Sequence, residues 1–282
     1  MRRAARLGEG PTWDSARRRL IWVDILGKSL HGYDPADGTD RHHAFDQMIG
    51  AAVPARNGNL LLALQDGLYR YDEADRSLQL YASIEAERPR NRMNDGKCDP
   101  RGRFWAGTLN MAGEREAGSL YRVLPDGSVD RMETGVGLSN GMGWSPDGTE
   151  MYFIDTHQST LYAYDFDLEA GTIRNRRVLL AFAENEGFPD GMTVDAEGRL
   201  WIAHWGGSRV SCRDPRTGAE LDRIEVPALF VTSCAFGGQA LDELYITTAM
   251  DEESGRDDPY GGSLFRIRPG VKGMAAASFG GF

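Results

Sequence analysis

A six-bladed β-propeller, all-β and filling residues 1–282 as one domain, is the fold this sequence predicts, and three observations predict it. A pair of short strands recurs six times, a glycine turn precedes most copies at near-constant spacing, and no stretch carries helical periodicity.

The strand pairs come first. The leading strands read LIWVDI (20–25), LLLAL (60–64), RFWAGTL (103–109), EMYFIDT (150–156), RLWIAHW (199–205) and ELYITTA (243–249). Each is apolar and rich in β-branched or aromatic residues, as strands between two packed layers are. Their followers read SLHGYDP (29–35), GLYRYDE (67–73), SLYRVLP (119–125), TLYAYDF (160–166), SRVSCRD (208–214) and SLFRIRP (263–269).

The turns come next. ARNG, DPRG, SPDG and DAEG end at Gly58, Gly102, Gly148 and Gly198, intervals of 44, 46 and 50 residues. Those intervals match a propeller blade of about 40–50 residues, and the glycines supply the positive φ that such turns need. A pair of β-sandwiches also gives short strands at regular spacing, but it does not account for six copies in one register. The longest irregular stretch, 251–262, reads as a surface loop.

Composition excludes several function classes. With 41% hydrophobic and 26% charged residues the chain has ample material for a folded core. A net charge of −10 and the lack of a Lys/Arg cluster argue against a nucleic-acid partner. The basic Arg2, Arg3 and Arg6 are followed by no apolar leader, and no run of about 18 apolar residues occurs, so a cytoplasmic location and no membrane partner are expected. Cys98, Cys212 and Cys234 are too scattered for a disulfide framework or a thiolate metal site and read as reduced thiols.

Within the repeat frame, the residue five positions ahead of the turn is Glu9, Asn94, Asn140 or Asp190 in four copies, with Gly50 and Thr232 in the other two. In a propeller the innermost strand of every blade lines the central channel, so equivalent positions form a ring at one end. Two carboxylates and two amides facing one another in a narrow, partly dry bore call for a cation between them. All-oxygen donors favour Ca²⁺, Mg²⁺ or Mn²⁺, with Zn²⁺ or Fe²⁺ also admissible. Taken singly, Asn94-Asp95-Gly96, Asn140-Gly141 and Asp190-Gly191 are also ordinary bend sequences. Their recurrence at one offset, together with the poor turn former Glu9, favours the metal ring. Arg92, two residues ahead of Asn94, points to the same side on an extended segment and can reach a ligand.

The stretches LGEGPTWD (7–14), RMNDGKCDPRGRFWAGTL (92–109), LSNGMGWSPDG (138–148), FPDGMTVDAEGRLWIAHWGGSRV (188–210) and TSCAFGG (232–238) resemble the regucalcin (senescence marker protein 30), gluconolactonase and sugar-lactonase family. The resemblance spans nearly the whole chain. It implies one divalent metal held by Glu9, Asn140 and Asp190, and a sugar-lactone substrate contacted by Arg92 and Asn94. The loop 109–118 departs from the family's lid pattern, which leaves Glu114 and Glu116 unassigned.

The expected activity is hydrolysis of an aldonolactone. The metal acts as Lewis acid on the ester carbonyl, and either Asp190 or the metal itself activates the water. No serine nucleophile is needed, and no G-x-S-x-G elbow or placeable Ser/His/Asp set occurs in the sequence. His157 and His204 read as channel or structural histidines, Trp205 and Tyr260 as aromatics able to cover a sugar face. The competing readings are a metal-dependent esterase or organophosphate hydrolase on the same scaffold and a non-enzymatic calcium-binding propeller. Oligomeric state is not encoded.

Overall fold

The computed structural model describes residues 5–252 and 256–282. Arg2, Arg3 and residues 253–255 of the predicted loop 251–262 lie outside the described residues. Antiparallel sheets account for the architecture, and the helical content among the described residues is two 3-10 turns, Thr156–Gln158 and Glu184–Glu186. Among these residues no helix is long and apolar enough to cross a membrane.

The first four sheets are four-stranded and each follows chain order. They open with the strands Gly8–Asp14, Ile49–Pro54, Asn91–Cys98 and Ser139–Trp144. The remaining strands form one seven-stranded sheet, in which the group opening with Phe188–Val194 meets the group opening with Phe230–Gly237 through the single pair Trp205–Phe230. This last group has only three described strands, ending with Phe265–Ile267, and the N-terminal segment docks against it. Ala5 N–H donates to Gly262 O at 3.1 Å, and Met250 N–H donates to Arg6 O at 3.3 Å.

The opening strands touch one another in succession, and Phe230–Gly237 returns to Gly8–Asp14, so they make a closed ring. Chemistry orders each sheet from this ring outward. The opening strands are glycine-rich and almost wholly buried, the second strands are apolar, and the fourth strands, such as Thr39–Ala44 and Glu220–Glu225, are polar and largely exposed. The core is correspondingly divided into clusters between neighbouring sheets. Trp105, Trp144 and Phe153 fill one such space, while Trp13, Trp22 and Tyr245 join the last strand group to the first sheet.

The predicted turns have a visible cause. Gly58, Gly102, Gly148 and Gly198 all take positive φ. In two copies the turn's opening aspartate also ties down the start of the next strand. Asp99 accepts from Trp105 Nε1 at 3.0 Å and Asp195 from Trp201 Nε1 at 2.9 Å, and each also binds the arginine four residues on. Such charge-assisted bonds fix where the second strand begins.

At the far ends of the opening strands the C-terminal segment crosses from one side of the ring to the other. Ala196 N–H donates to Lys272 O at 2.9 Å, while Phe279 N–H donates to Pro54 O and Gly280 N–H to Gly102 O, both at 2.8 Å. Met274–Ala277 thereby roof a cavity walled by Trp13, Trp144, Val194 and Phe236.

Candidate active site

All the predicted site residues lie on opening strands and all are buried: Glu9, Arg92, Asn94, Asn140 and Asp190. The backbone explains how they are aimed. Each opening strand breaks register with its partner at or immediately beside the ring position: after Glu9, at Gly50, at Asn94-Asp95, at Asn140-Gly141, at Asp190-Gly191 and at Thr232. A β-bulge removes a residue from the ladder and re-aims its side chain, and a bulge at this level in every copy accounts for the inward aim of the five ring side chains, the sixth position being Gly50. The Asn-Gly and Asp-Gly pairs are therefore strand bulges, not bends. Their glycines are required by close approach: a Cβ on Gly191 would lie 2.0 Å from Ser233 Oγ, and one on Gly50 would lie 2.4 Å from Asn94 O.

Polar contacts hold the ring in order. Asn94 Nδ2 donates to Ser139 O at 2.7 Å and to Asn140 Oδ1 at 3.3 Å, while its Oδ1 accepts from Arg92 Nη1 at 2.8 Å. Asn140 Nδ2 donates to Thr156 Oγ1 at 2.9 Å, whose hydroxyl donates to Pro189 O at 2.7 Å. Thr232 Oγ1 donates to Gly8 O and completes the circle opposite. Asp24 and Asp155 pin two strands from behind: Asp24 accepts from the N–H groups of Arg6 and Leu7, Asp155 from those of Gly137 and Leu138.

The electrostatics are those of crowded acids. Burial, reinforced by Asp95, raises Glu9 from 4.5 to about 8. Burial together with the Glu9 and Asp95 charges holds Asp190 well above the usual carboxylate range. The two carboxyls lie within hydrogen-bonding reach of each other, yet Asp190 Oδ1 has no hydrogen-bond partner. Burial also lowers Arg92 to about 10, countered by the charges of Glu9 and Asp190. Two buried acids driven toward protonation, one of them with an orphaned oxygen, together with an amide carbonyl form an all-oxygen donor set suited to a hard divalent cation. Among the described residues no cluster of three or more His, Cys, Asp and Glu is arranged to hold a metal.

Asp95 is a buried acidic neighbour of the ring that sequence reasoning missed. It is buried beside the ring, and its charge enters the surroundings of both Glu9 and Asp190. Its partner charge is Lys97, whose Nζ donates to Met192 O at 2.7 Å and so crosses the bore below the ring. The signal was present in NDGK, but an aspartate inside an Asn-Asp-Gly run reads as a turn residue.

The remaining candidates fall outside the ring. His204 is fully buried with Nε2 against Ser211 Oγ at 2.7 Å, and burial beside Arg209 and Arg213 lowers it to about 3, so it is a neutral structural histidine. His157 is exposed on a 3-10 turn. Trp205 stacks on Phe230 at 4.2 Å, and Tyr260 is 37% exposed on the loop 251–262. Arg90 and Glu114 face each other at 3.8 Å on exposed side chains, and Glu116 sits at a positive-φ turn.

A Ser/His/Asp set that the sequence did not reveal is present, with Ser29 Oγ 2.8 Å from His31 Nε2 and His31 Nδ1 2.8 Å from Asp40 Oδ2. Its aspartate is also bound by Trp22 Nε1 at 3.1 Å, and the imidazole is stacked on Trp22 at 4.0 Å. Ser29 and His31 are buried between strands, so the set works as a cross-strand lock.

Residues 7–250 match the family described as SMP-30/Gluconolactonase/LRE-like region. The chain is 41% identical to a putative sugar lactone lactonase of Bacillus subtilis (strain 168) over 278 residues, covering 98% of this chain and 95% of the relative. It is 37% identical to regucalcin of Xenopus laevis, again covering 98% and 95%. Among solved structures, a calcium-binding protein, regucalcin, from Agrobacterium tumefaciens str. C58 superposes with a TM-score of 0.92 at 34% identity, covering 98% of this chain and 95% of that one.

Proposed function

Since the chain belongs to the SMP-30/gluconolactonase family, whose relatives include a lactonase, we propose that it is a six-bladed propeller that hydrolyses a sugar lactone with the help of one divalent cation held by Glu9, Asn140 and Asp190. The closed ring of opening strands supports the blade count, with the pair Trp205–Phe230 as a stitch between the fifth and sixth blades. All of residues 1–282 are then one domain. Three buried free thiols fit a reducing, cytoplasmic setting.

The observation that carries the reading is the meeting of Glu9 and Asp190, both pushed toward the protonated form, with an unpartnered Asp190 oxygen beside the Asn140 amide. Such a constellation is costly unless a positive charge is shared by both acids. A bound cation supplies Lewis-acid polarisation of the ester carbonyl and stabilisation of developing negative charge.

The protein's own groups do the rest. Asp190 Oδ1 accepts no other hydrogen bond, which supports assigning it as the base for the attacking water, the bound cation being the other candidate for activating that water. Arg92 holds a positive charge next to the ring, steadied by its bonds to Asn94 Oδ1 and Met93 O. Its other guanidinium N–H groups are left for the substrate's oxygens. Asn94 is locked between Arg92 and Asn140, so it orients the arginine as much as it meets the substrate.

The test is acid release from a panel of aldonolactones by chelated protein, with Ca²⁺, Mg²⁺, Mn²⁺, Zn²⁺ or Fe²⁺ added back and spontaneous opening subtracted. Restoration by a metal supports the proposal. Tight metal binding with no turnover of any lactone or ester would make the chain a calcium-binding propeller instead.

A further inference from the structure

We infer that the far half of the bore is a second binding site, separate from the donor ring, for a small carboxylate with an apolar body the size of an aromatic ring. The carboxylate pairs with Lys97, and the apolar body fills the chamber beneath the C-terminal roof.

The repeat that places the donor ring also places this chamber. Three residues beyond each ring position the opening strands carry Thr12, Val53, Lys97, Gly143, Thr193 and Ala235, and all six line one cavity of about 220 Å³. One residue further on, Trp13, Trp144 and Phe236 give it aromatic walls. Its roof is a strap held at both ends. Gly273 N–H donates to Leu241 O and Phe279 N–H to Pro54 O, both at 2.8 Å. Between those anchors Ala275, Ala276 and Ala277 make no backbone hydrogen bond among the described residues, so lifting them opens the chamber without breaking a sheet.

Lys97 is the one charged side chain in this lining. An ammonium carries three N–H donors. Among the described residues Lys97 uses one of them, on Met192 O at 2.7 Å, and enters no salt bridge. Lys97 and Thr193 also keep accessible surface although both sit on innermost strands, and the cavity is what that surface meets. A carboxylate would accept the remaining ammonium N–H groups in charge-assisted bonds, with the hydroxyl-bearing Thr12 and Thr193 at the same level.

The walls set the rest of the ligand. Polar groups against Trp13, Trp144, Val194 and Phe236 would lose water without replacement, whereas an apolar body gains by burial there. An apolar cavity of about 150 Å³ is large enough for benzene, so about 220 Å³ takes one ring together with a carboxylate. Because Lys97 crosses the bore between the chamber and the donor ring, a ligand held there need not touch Glu9 or Asp190.

The experiment is calorimetric titration of benzoate into full-length, chelated protein, with tryptophan fluorescence followed in parallel because Trp13 and Trp144 wall the chamber. The expected result is one saturable site per chain. Binding should weaken by about tenfold or more in Lys97→Met, as for a lost hydrogen bond to a charged group, and similarly in Ala235→Phe, which fills the chamber. Benzyl alcohol, a ring without the charge, should bind about tenfold or more weaker than benzoate. Arg92→Ala, on the other side of Lys97, should keep the wild-type affinity. Melting temperatures show whether the variants fold, and if Lys97→Met does not, Ala235→Phe and benzyl alcohol decide. No saturable benzoate binding in the millimolar range, or equal binding of benzyl alcohol, overturns the inference. So does benzoate binding that survives Lys97→Met or Ala235→Phe, or that is lost in Arg92→Ala.

Discussion

Replacing Glu9 by glutamine should stabilise the protein in the absence of metal. Glu9 is buried beside Asp190 and Asp95, and its carboxyl is raised from 4.5 to about 8. The unfolded chain therefore ionises Glu9 at a lower pH than the native protein does. Native protein binds the extra proton throughout the interval between, so stability is full below about pH 4.5 and is lost as pH rises toward about 8, at about 1.36 kcal/mol per pH unit. At pH 7 the accumulated loss is on the order of 3 kcal/mol. Glu9→Gln removes the ionisable group while keeping its shape, so chelated variant should exceed chelated wild type by about 3 kcal/mol at pH 7, roughly 5–10 °C in Tm. Urea unfolding followed by far-ultraviolet circular dichroism, in chelator, across pH 5–8 reads this directly. Wild type should lose stability with rising pH more steeply than the variant, which keeps the slope of the raised Asp190 and Asp95, and added divalent cation should restore only wild type. A Glu9→Gln protein that is less stable than wild type at pH 8, or that shows the same pH slope, would refute the crowded-acid account.

Three further outcomes are expected. Asp190→Asn should abolish lactone turnover and weaken metal binding by calorimetry, whereas Arg92→Ala should bind metal normally and lose kcat/KM by about 10²-fold or more, as for loss of a positioned charge. Because His204 is lowered to about 3 in the folded protein, stability should fall as pH drops from its unfolded value of about 6.5, and His204→Gln should flatten that acid limb of a thermal-melt series. Gly191→Ala should destabilise by about 1–3 kcal/mol, since its Cβ would meet Ser233 Oγ at 2.0 Å, and a second change Ser233→Gly should recover part of the loss in denaturant melts.

Much of this was legible in the chain because the repeat writes the same physics several times. The turn glycines at 58, 102, 148 and 198 need positive φ whatever surrounds them, and an apolar strand such as Leu60–Leu64 is buried on both faces in any copy. Glu9, Asn140 and Asp190 could be found because an offset inside a repeat maps to a level along the bore. Asp95 could not, since its place depends on the bulge that leaves two residues, not one, out of the ladder opposite Gly107. Nor could the Ser29, His31 and Asp40 set, whose members come from two strands whose register only the folded sheet supplies.

The C-terminal segment that roofs the far cavity, together with Lys97 lying across the bore, makes the site a cul-de-sac. Whatever enters past Arg92 must back out through the same door, and on the proposed activity the acid formed by ring opening would retreat past that arginine. Traffic through such a vestibule is single file: a lingering product bars the next arrival, so the acid should act as a competitive inhibitor of its own precursor, with the arginine setting how long it stays.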